Sequence, residues 1–329
     1  MNNLRSTVAT KILANIPPRV KPIDYLMETL NISRESVYRR IRGDISFTLE
    51  EISKLSIDLG FSIDDLIMED MPARVFFDLH IDAAQNPSDI FLTIMQQHFK
   101  GIYDQSYVKD VDSTVILNHL MPGFVIPFNH LFKFAYYRWM HQHQESSLNY
   151  YYSDVSLPEK LIGLQQKAIE SLRKLQHSSF IFDADIFINL FREIRYYYKR
   201  RLLSENEFTL LKNDLLGYVN MVENIAQTGH YGSGTKFQLY LSMLNIESTS
   251  RYIKYDGRSK SQFFVNSIEP VTISNPNICA IHKKWLDSMR KYATLITQSN
   301  EILQVRYFNK QRAQIEEMSD IHAGMSIEV

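Results

Sequence analysis

Between Lys21 and Leu66 the chain is divided by residues that stop helices, and that punctuation constrains the fold more tightly than anything else in its 329 residues. Ile23, Leu26, Met27 and Leu30 recur at i, i+3, i+4 and i+7, which gives a short helix one buried face. Asn31 follows, one of the few non-glycine residues that tolerate the left-handed backbone of a tight inter-helix turn. Ser33 then caps a second helix, which carries apolar anchors only at Val37 and Ile41 and closes at Gly43. Thr48 and Glu51 have the spacing of a capping box, and Leu49, Ile52, Leu55 and Leu59 continue at helical spacing until Gly60. Ser62 with Asp65 predicts one more helical turn carrying Ile63, Leu66 and Ile67. Residues 1–70 are therefore expected to form a small all-helical bundle, with 4–15 as a leading helix that turns Leu4, Val8, Ile12 and Leu13 inward.

The order Leu30, Asn31, Ile32, Ser33 and Val37, followed by a glycine-ended helix and the tail LGFSIDDL, resembles the Cro and phage-repressor-like (XRE-type) helix-turn-helix family over residues 20–68. Two positions depart from the family's pattern. Met27 stands where a small residue usually lets the first two helices cross closely, and Arg40 where a small or apolar one is common. The resemblance implies that the second helix lies in the major groove of double-stranded DNA. Its reading residues, carried over position by position, are Ser33, Arg34, Glu35, Tyr38, Arg39 and Arg42. The chemistry of these side chains agrees: arginine bonds O6 and N7 of guanine as a fork, and serine or tyrosine hydroxyls hold phosphate. Arg40 is read as a phosphate or structural contact.

Charge is consistent with that reading. Residues 1–48 hold eight Lys/Arg against four Asp/Glu, whereas residues 49–70 hold one against seven, so the positive side coincides with the proposed reading helix. The whole chain has a net charge of −1, which excludes a generally basic protein that coats nucleic acid without selectivity. The alternative reading is an interaction or adaptor protein that uses the same bundle to dock a protein partner.

A chain this long predicts two or three domains, here 1–70 and a larger regulatory or dimerisation domain over 73–329. The overall expectation is a mainly α protein, a repressor-like bundle followed by a mostly helical α+β domain, with a helical part at 85–228 and an α+β part at 229–320. Alternation predicts strands at 75–81, 113–119, 236–245, 250–255 and 262–268. Helical periods fall near 86–103, 125–142, 157–176, 184–202, 204–227, 278–298 and 299–318. The single cysteine, Cys279, excludes a disulfide framework, and no long uncharged apolar run appears, so a cytoplasmic location is expected. A homodimer is expected, with a small-molecule or peptide effector of unspecified identity.

Other features are read as structural. His141 and His143 are two residues apart on a helix and point in different directions, so no metal is expected. His80 and Asp82 share a strand face and read as a polar surface. GHYGSGT at 229–235 lacks the lysine and the strand–turn–helix context of a phosphate loop. Cys279 and His282 have the spacing of a thiol–imidazole contact on a helix, against the commoner reading of a small buried cysteine. The tyrosines at 136–137, 150–152 and 196–198 are read as packing between helices or subunits rather than a ligand pocket. No catalytic spacing emerges, so neither an enzyme nor a cofactor is expected.

Overall fold

The computed structural model describes residues 4–17, 20–61, 86–106, 111–143, 150–174, 177–232, 236–255, 257–265 and 268–319. The expected turn at 62–67, the strand at 75–81, the His80–Asp82 pair and residues 233–235 of the glycine-rich stretch lie outside the described residues. The chain divides into two compact units, Met1–Phe77 and Asp78–Val329.

The first unit contains α1 (Leu4–Asn15), α2 (Pro22–Leu30), α3 (Arg34–Ile41) and α4 (Leu49–Leu59). The local signals act as their chemistry requires. Asn31 takes φ 52° and ψ 48° at the end of α2, and Gly43 and Gly60 adopt φ of +80° and +68° after α3 and α4. Ser33 Oγ accepts from Ser36 N, and Thr48 and Glu51 cap α4 reciprocally. Ile12, Leu26, Val37 and Leu55 are fully or almost fully buried and form one core with Val8, Ala9, Ile16, Phe47 and Phe61. Met27, with its larger side chain, packs half-buried against this core instead of at its centre. Leu49 departs from the expected inward stripe and is 69% exposed. Phe47, on the other side of the Thr48 cap, is buried in its place and shares the core with Ile52, the arrangement of a hydrophobic staple.

The second unit is α+β and mostly helical. In chain order it contains α5 (Pro87–Ser106), β1 (Asp112–Leu117), α6 (Pro122–Val125), α7 (Asn129–His143), a 3-10 turn (Tyr152–Asp154), α8 (Glu159–Leu172), β2 (Ser178–Asp183), α9 (Ile186–Lys199) and α10 (Glu205–Thr228). Then come β3 (Phe237–Ser242), β4 (Ser250–Tyr255), β5 (Arg258–Val265), β6 (Glu269–Ile273), α11 (Pro276–Tyr292), β7 (Thr294–Leu295) and α12 (Glu301–Ser319). The seven strands form one sheet in the order β6-β5-β4-β1-β2-β3-β7. The pairs β1–β2 and β2–β3 are parallel and the rest antiparallel. The expected split into a helical part and an α+β part is therefore corrected: β1 and β2, from the first stretch, sit in the middle of the same sheet as the later strands.

Both faces of the central strands are covered. Val115, Leu117, Phe182, Leu239 and Leu241 point into the main core beneath the helices, while Ile116 and Ile181 point the other way, into a smaller core with Cys279 and Leu286 of α11. This is why β2 has no counterpart in the sequence reading. Its segment, SSFIFD, is buried on both sides and shows no alternation of apolar with polar residues. Expected helix 278–298 stops at Tyr292, after which Thr294 and Leu295 pair with β3. Among the described residues no helix is long and apolar enough to cross a membrane.

Within the tyrosine clusters Tyr136, Tyr137, Tyr152 and Tyr197 are buried, whereas Tyr151 and Tyr196 are exposed. Tyr137 is fully buried, stacks on Tyr150 at 5.9 Å, meets Tyr152 and Tyr197 edge-on, and donates from its hydroxyl to the Tyr150 carbonyl at 2.8 Å. Asp214 of α10 accepts from the backbone N–H groups of His130 and Leu131 at 2.7 and 3.3 Å, so a carboxylate satisfies the first turn of α7.

Two histidines, His282 buried and His98 half-buried, give the second unit an acid response. Burial, with the Arg251 charge, pushes His98 down to about 4, and burial does the same to His282. In the unfolded chain both titrate near 6.5. Below that pH the unfolded state binds protons that the folded state refuses. Their contribution to stability is complete above about pH 6.5 and is lost as pH falls toward 4. Near-ultraviolet circular dichroism melts of the full chain should show Tm falling through this window, with a shallower fall for His282→Gln; an unchanged slope in that variant would contradict the assignment.

Candidate nucleic-acid interface

The six residues expected to read DNA occupy one side and the two ends of α3. Ser33, Arg34, Glu35, Tyr38, Arg39 and Arg42 are all exposed. Behind them Val37, 1% exposed, fixes the helix to the core, with Ile41 half-buried one turn on. Arg34 and Tyr38 are four residues apart, as are Glu35 and Arg39, so the two rows lie next to each other on the helix surface. Three arginines against one glutamate leave this face cationic.

The termini of the helix constrain two of the six. Ser33 is the N-cap, and its hydroxyl accepts from Ser36 N at 3.3 Å and donates to Ser36 Oγ at 3.1 Å, so it serves the helix first. Arg42 is the C-cap, outside the regular helix, and its Nε lies 3.2 Å from Asp44 Oδ2 in an exposed pair. Such a pair contributes little and is readily exchanged for a stronger anion.

Arg40 belongs to the scaffold. Its Nε and one terminal nitrogen each donate to Glu51 at 2.9 Å in a bidentate pair, with both side chains largely buried, and another nitrogen donates to the Ser36 carbonyl at 3.3 Å. Glu51 simultaneously accepts from Thr48 N at 3.0 Å. One carboxylate thus caps α4 and ties it to α3, which settles the structural role for Arg40. Glu51→Ala removes the cap and leaves a largely buried guanidinium without its acceptor. We expect a loss of about 2 kcal/mol in the first unit, read as faster amide exchange over residues 34–59, whereas exchange in α7 and α10 should be unchanged.

The remaining candidates resolve into packing. His143 stacks on Trp139 at 3.6 Å and bonds its carbonyl, whereas His141 lies against Tyr137 and Tyr197. Cys279 donates to the carbonyls of Ile273 and Ser259 at 3.4 and 3.7 Å, and His282 is held between the hydroxyls of Ser250 and Ser261 at 3.0 and 2.8 Å. The thiol and the imidazole therefore bond to different partners. Among the described residues no group of histidine, cysteine, aspartate and glutamate is arranged to hold a metal ion. Compared with protein-family models, curated proteins and solved structures, the chain finds no match.

Proposed function

We propose that the chain is a sequence-specific DNA-binding transcriptional regulator in which α3 enters the major groove and the second unit senses or oligomerises. The observation that carries this reading is the division of labour on α3. Val37 is buried and Arg40 is bound to Glu51, while Ser33, Arg34, Glu35, Tyr38, Arg39 and Arg42 are all left at the surface. A helix anchored along one side, with arginines free to fork onto guanine edges on the other, has the chemistry that base readout requires. A single module of this size buries too little surface to select one genomic site. A homodimer bound to two half-sites is therefore part of the proposal.

A second reading, protein docking by the same bundle, is favoured by α4, where Leu49 and Ile57 are 69% and 81% exposed. Salt separates the two. A phosphate-anchored complex with duplex DNA should weaken steeply, by about a thousandfold or more between low and moderate salt for six or more phosphate contacts. Fluorescence anisotropy with a labelled duplex from the chain's own upstream region measures this. Affinity that is flat with salt, or no binding at low salt, would favour the docking surface instead.

A further inference from the structure

The second half of α9 and the two residues after it carry Arg192, Arg195, Lys199, Arg200 and Arg201, five cations in ten positions. The second unit as a whole is balanced, with 26 Lys/Arg against 26 Asp/Glu, so this is a local excess and not the character of the unit. Arg192, Arg195 and Lys199 recur at i, i+3 and i+7, which sets them in one row on the outer side of the helix, opposite the buried Phe191, Ile194 and Tyr197. Arg195 is half-buried, and the other four cations are exposed. The one carboxylate of α9, Glu193, is bound to Arg138 of α7. Among the described residues none of the five cations pairs with a carboxylate. Arg192 donates to Asn189 Oδ1 at 3.1 Å, and Arg200 to the Tyr196 hydroxyl at 2.7 Å.

The end of the helix departs from the usual residue choice. The Arg201 N–H donates to the Tyr198 carbonyl at 2.8 Å and the Leu202 N–H to the Tyr197 carbonyl at 3.1 Å, the bond pair of a Schellman motif. Arg201 therefore sits at a left-handed φ of 59°, where glycine fits without strain and an arginine is held instead. The Leu202 carbonyl accepts from Tyr152 N at 3.0 Å, which sets the exposed Tyr151 near this end of α9.

The chemistry selects among partners. On α9 the exposed large apolar side chain is Tyr196 alone, so the row lacks the aliphatic anchors by which a protein partner or a membrane surface is held. From Arg192 to Arg200 the helix rises about 12 Å, the axial length over which one strand of a duplex presents three or four phosphates. Guanidinium, ammonium and tyrosine hydroxyl groups are donors that phosphate oxygens accept from. Resting on the reading of the chain as a DNA-binding protein, we propose that this surface of the second unit grips the phosphate backbone of duplex DNA without reading its sequence.

The test is fluorescence anisotropy of the full chain with two labelled duplexes, one from its own upstream region and one scrambled, across a salt series. Arg192→Ala/Lys199→Ala/Arg201→Gly removes three cations, two at open helical positions and one where glycine is the better fit, so its Tm should be no lower than that of the wild type. The slope of log affinity against log salt should become shallower by about three on both duplexes, with the ratio of the two affinities unchanged. Arg192→Lys/Arg201→Lys should keep the wild-type slope, because a phosphate contact needs the charge and not the fork. Should the triple variant fail to fold, Lys199→Glu alone, at an exposed position, should weaken both duplexes equally. A wild-type slope in the folded triple variant, or a loss confined to the upstream duplex, would overturn the proposal. Labelled poly-glutamate bound as tightly as duplex, and lost in the triple variant, would assign the surface to an acidic protein and overturn it too. A wild type that does not distinguish the duplexes, with the slope still falling in the variant, refutes readout by α3 and leaves the phosphate grip standing. Preserved preference with an unchanged slope does the reverse.

Discussion

Replacing Arg39 and Arg42 together with alanine is expected to abolish sequence preference in DNA binding while leaving the fold of the first unit as it is. Both side chains are exposed, and neither belongs to the core that Val37, Leu26 and Leu55 form. Among the described residues, the side-chain interaction sacrificed is the exposed Arg42–Asp44 pair, whose contribution to stability is small. Against this, each bidentate arginine contact to a guanine supplies about 1–3 kcal/mol of discrimination. Two such losses amount to about thirtyfold or more in the ratio of specific to non-specific affinity, with a residual salt-dependent affinity from the remaining cations. Anisotropy titrations against a cognate and a scrambled duplex measure that ratio. An unchanged ratio in a folded double variant would mean that α3 is not the reading helix, whatever else the unit does.

The second large effect is on stability. Leu55 is completely buried at the centre of the small core that α1, α2, α3 and α4 share, and truncation of such a leucine to alanine costs about 3–5 kcal/mol when the surrounding helices cannot close the void. A unit of this size has little more than that to lose. Leu55→Ala should therefore leave the first unit largely unfolded at physiological temperature and remove DNA binding of every kind. The second unit has its own, much larger core around Phe91, Phe132, Phe187 and Phe191 and should keep native amide protection. Hydrogen exchange resolves the two regions in one experiment. Loss of protection across both units would show that they do not fold independently.

How much of this was legible in the sequence depends on whether a feature is set locally. Asn31, Ser33, Gly43, Thr48, Glu51 and Gly60 each satisfy or redirect a backbone within a few residues, so α2, α3 and α4 fall where those residues place them. The exposed side of α3 follows from the same local logic, because two apolar anchors on eight residues leave the opposite side to solvent. Leu49 shows the limit. Helical spacing alone puts it on the inner stripe, but the chain enters α4 through the Thr48 cap, and that entry buries Phe47 instead. The bidentate pair of Arg40 with Glu51 needs the crossing of two helices and lies beyond any single segment.

The second unit was harder for a physical reason. Its sheet is assembled from strands distant in sequence, and β2 gains its character only from being covered on both sides. β7 is two residues long and has no pattern of its own. The antiparallel strand at 250–255 was readable, but Arg251 within it looks like an ordinary surface cation until its pairing opposite Val115 turns it inward. Cavities on the helical side of the sheet likewise arise from residues contributed by β1, β2, β3, β4, β5, α5, α6, α8 and α10, and no segment taken alone announces them.

The most direct measurement of the central claim is selection from a random-sequence duplex pool with the full chain, followed by sequencing of the retained DNA. The account predicts an enriched motif containing guanines, present as two inverted half-sites with centres about one helical turn apart, and predicts that the Arg39→Ala/Arg42→Ala chain fails to enrich it. A pool that shows no enrichment over input, or a motif that the double variant retains equally well, would contradict the assignment of α3 as the helix that reads DNA.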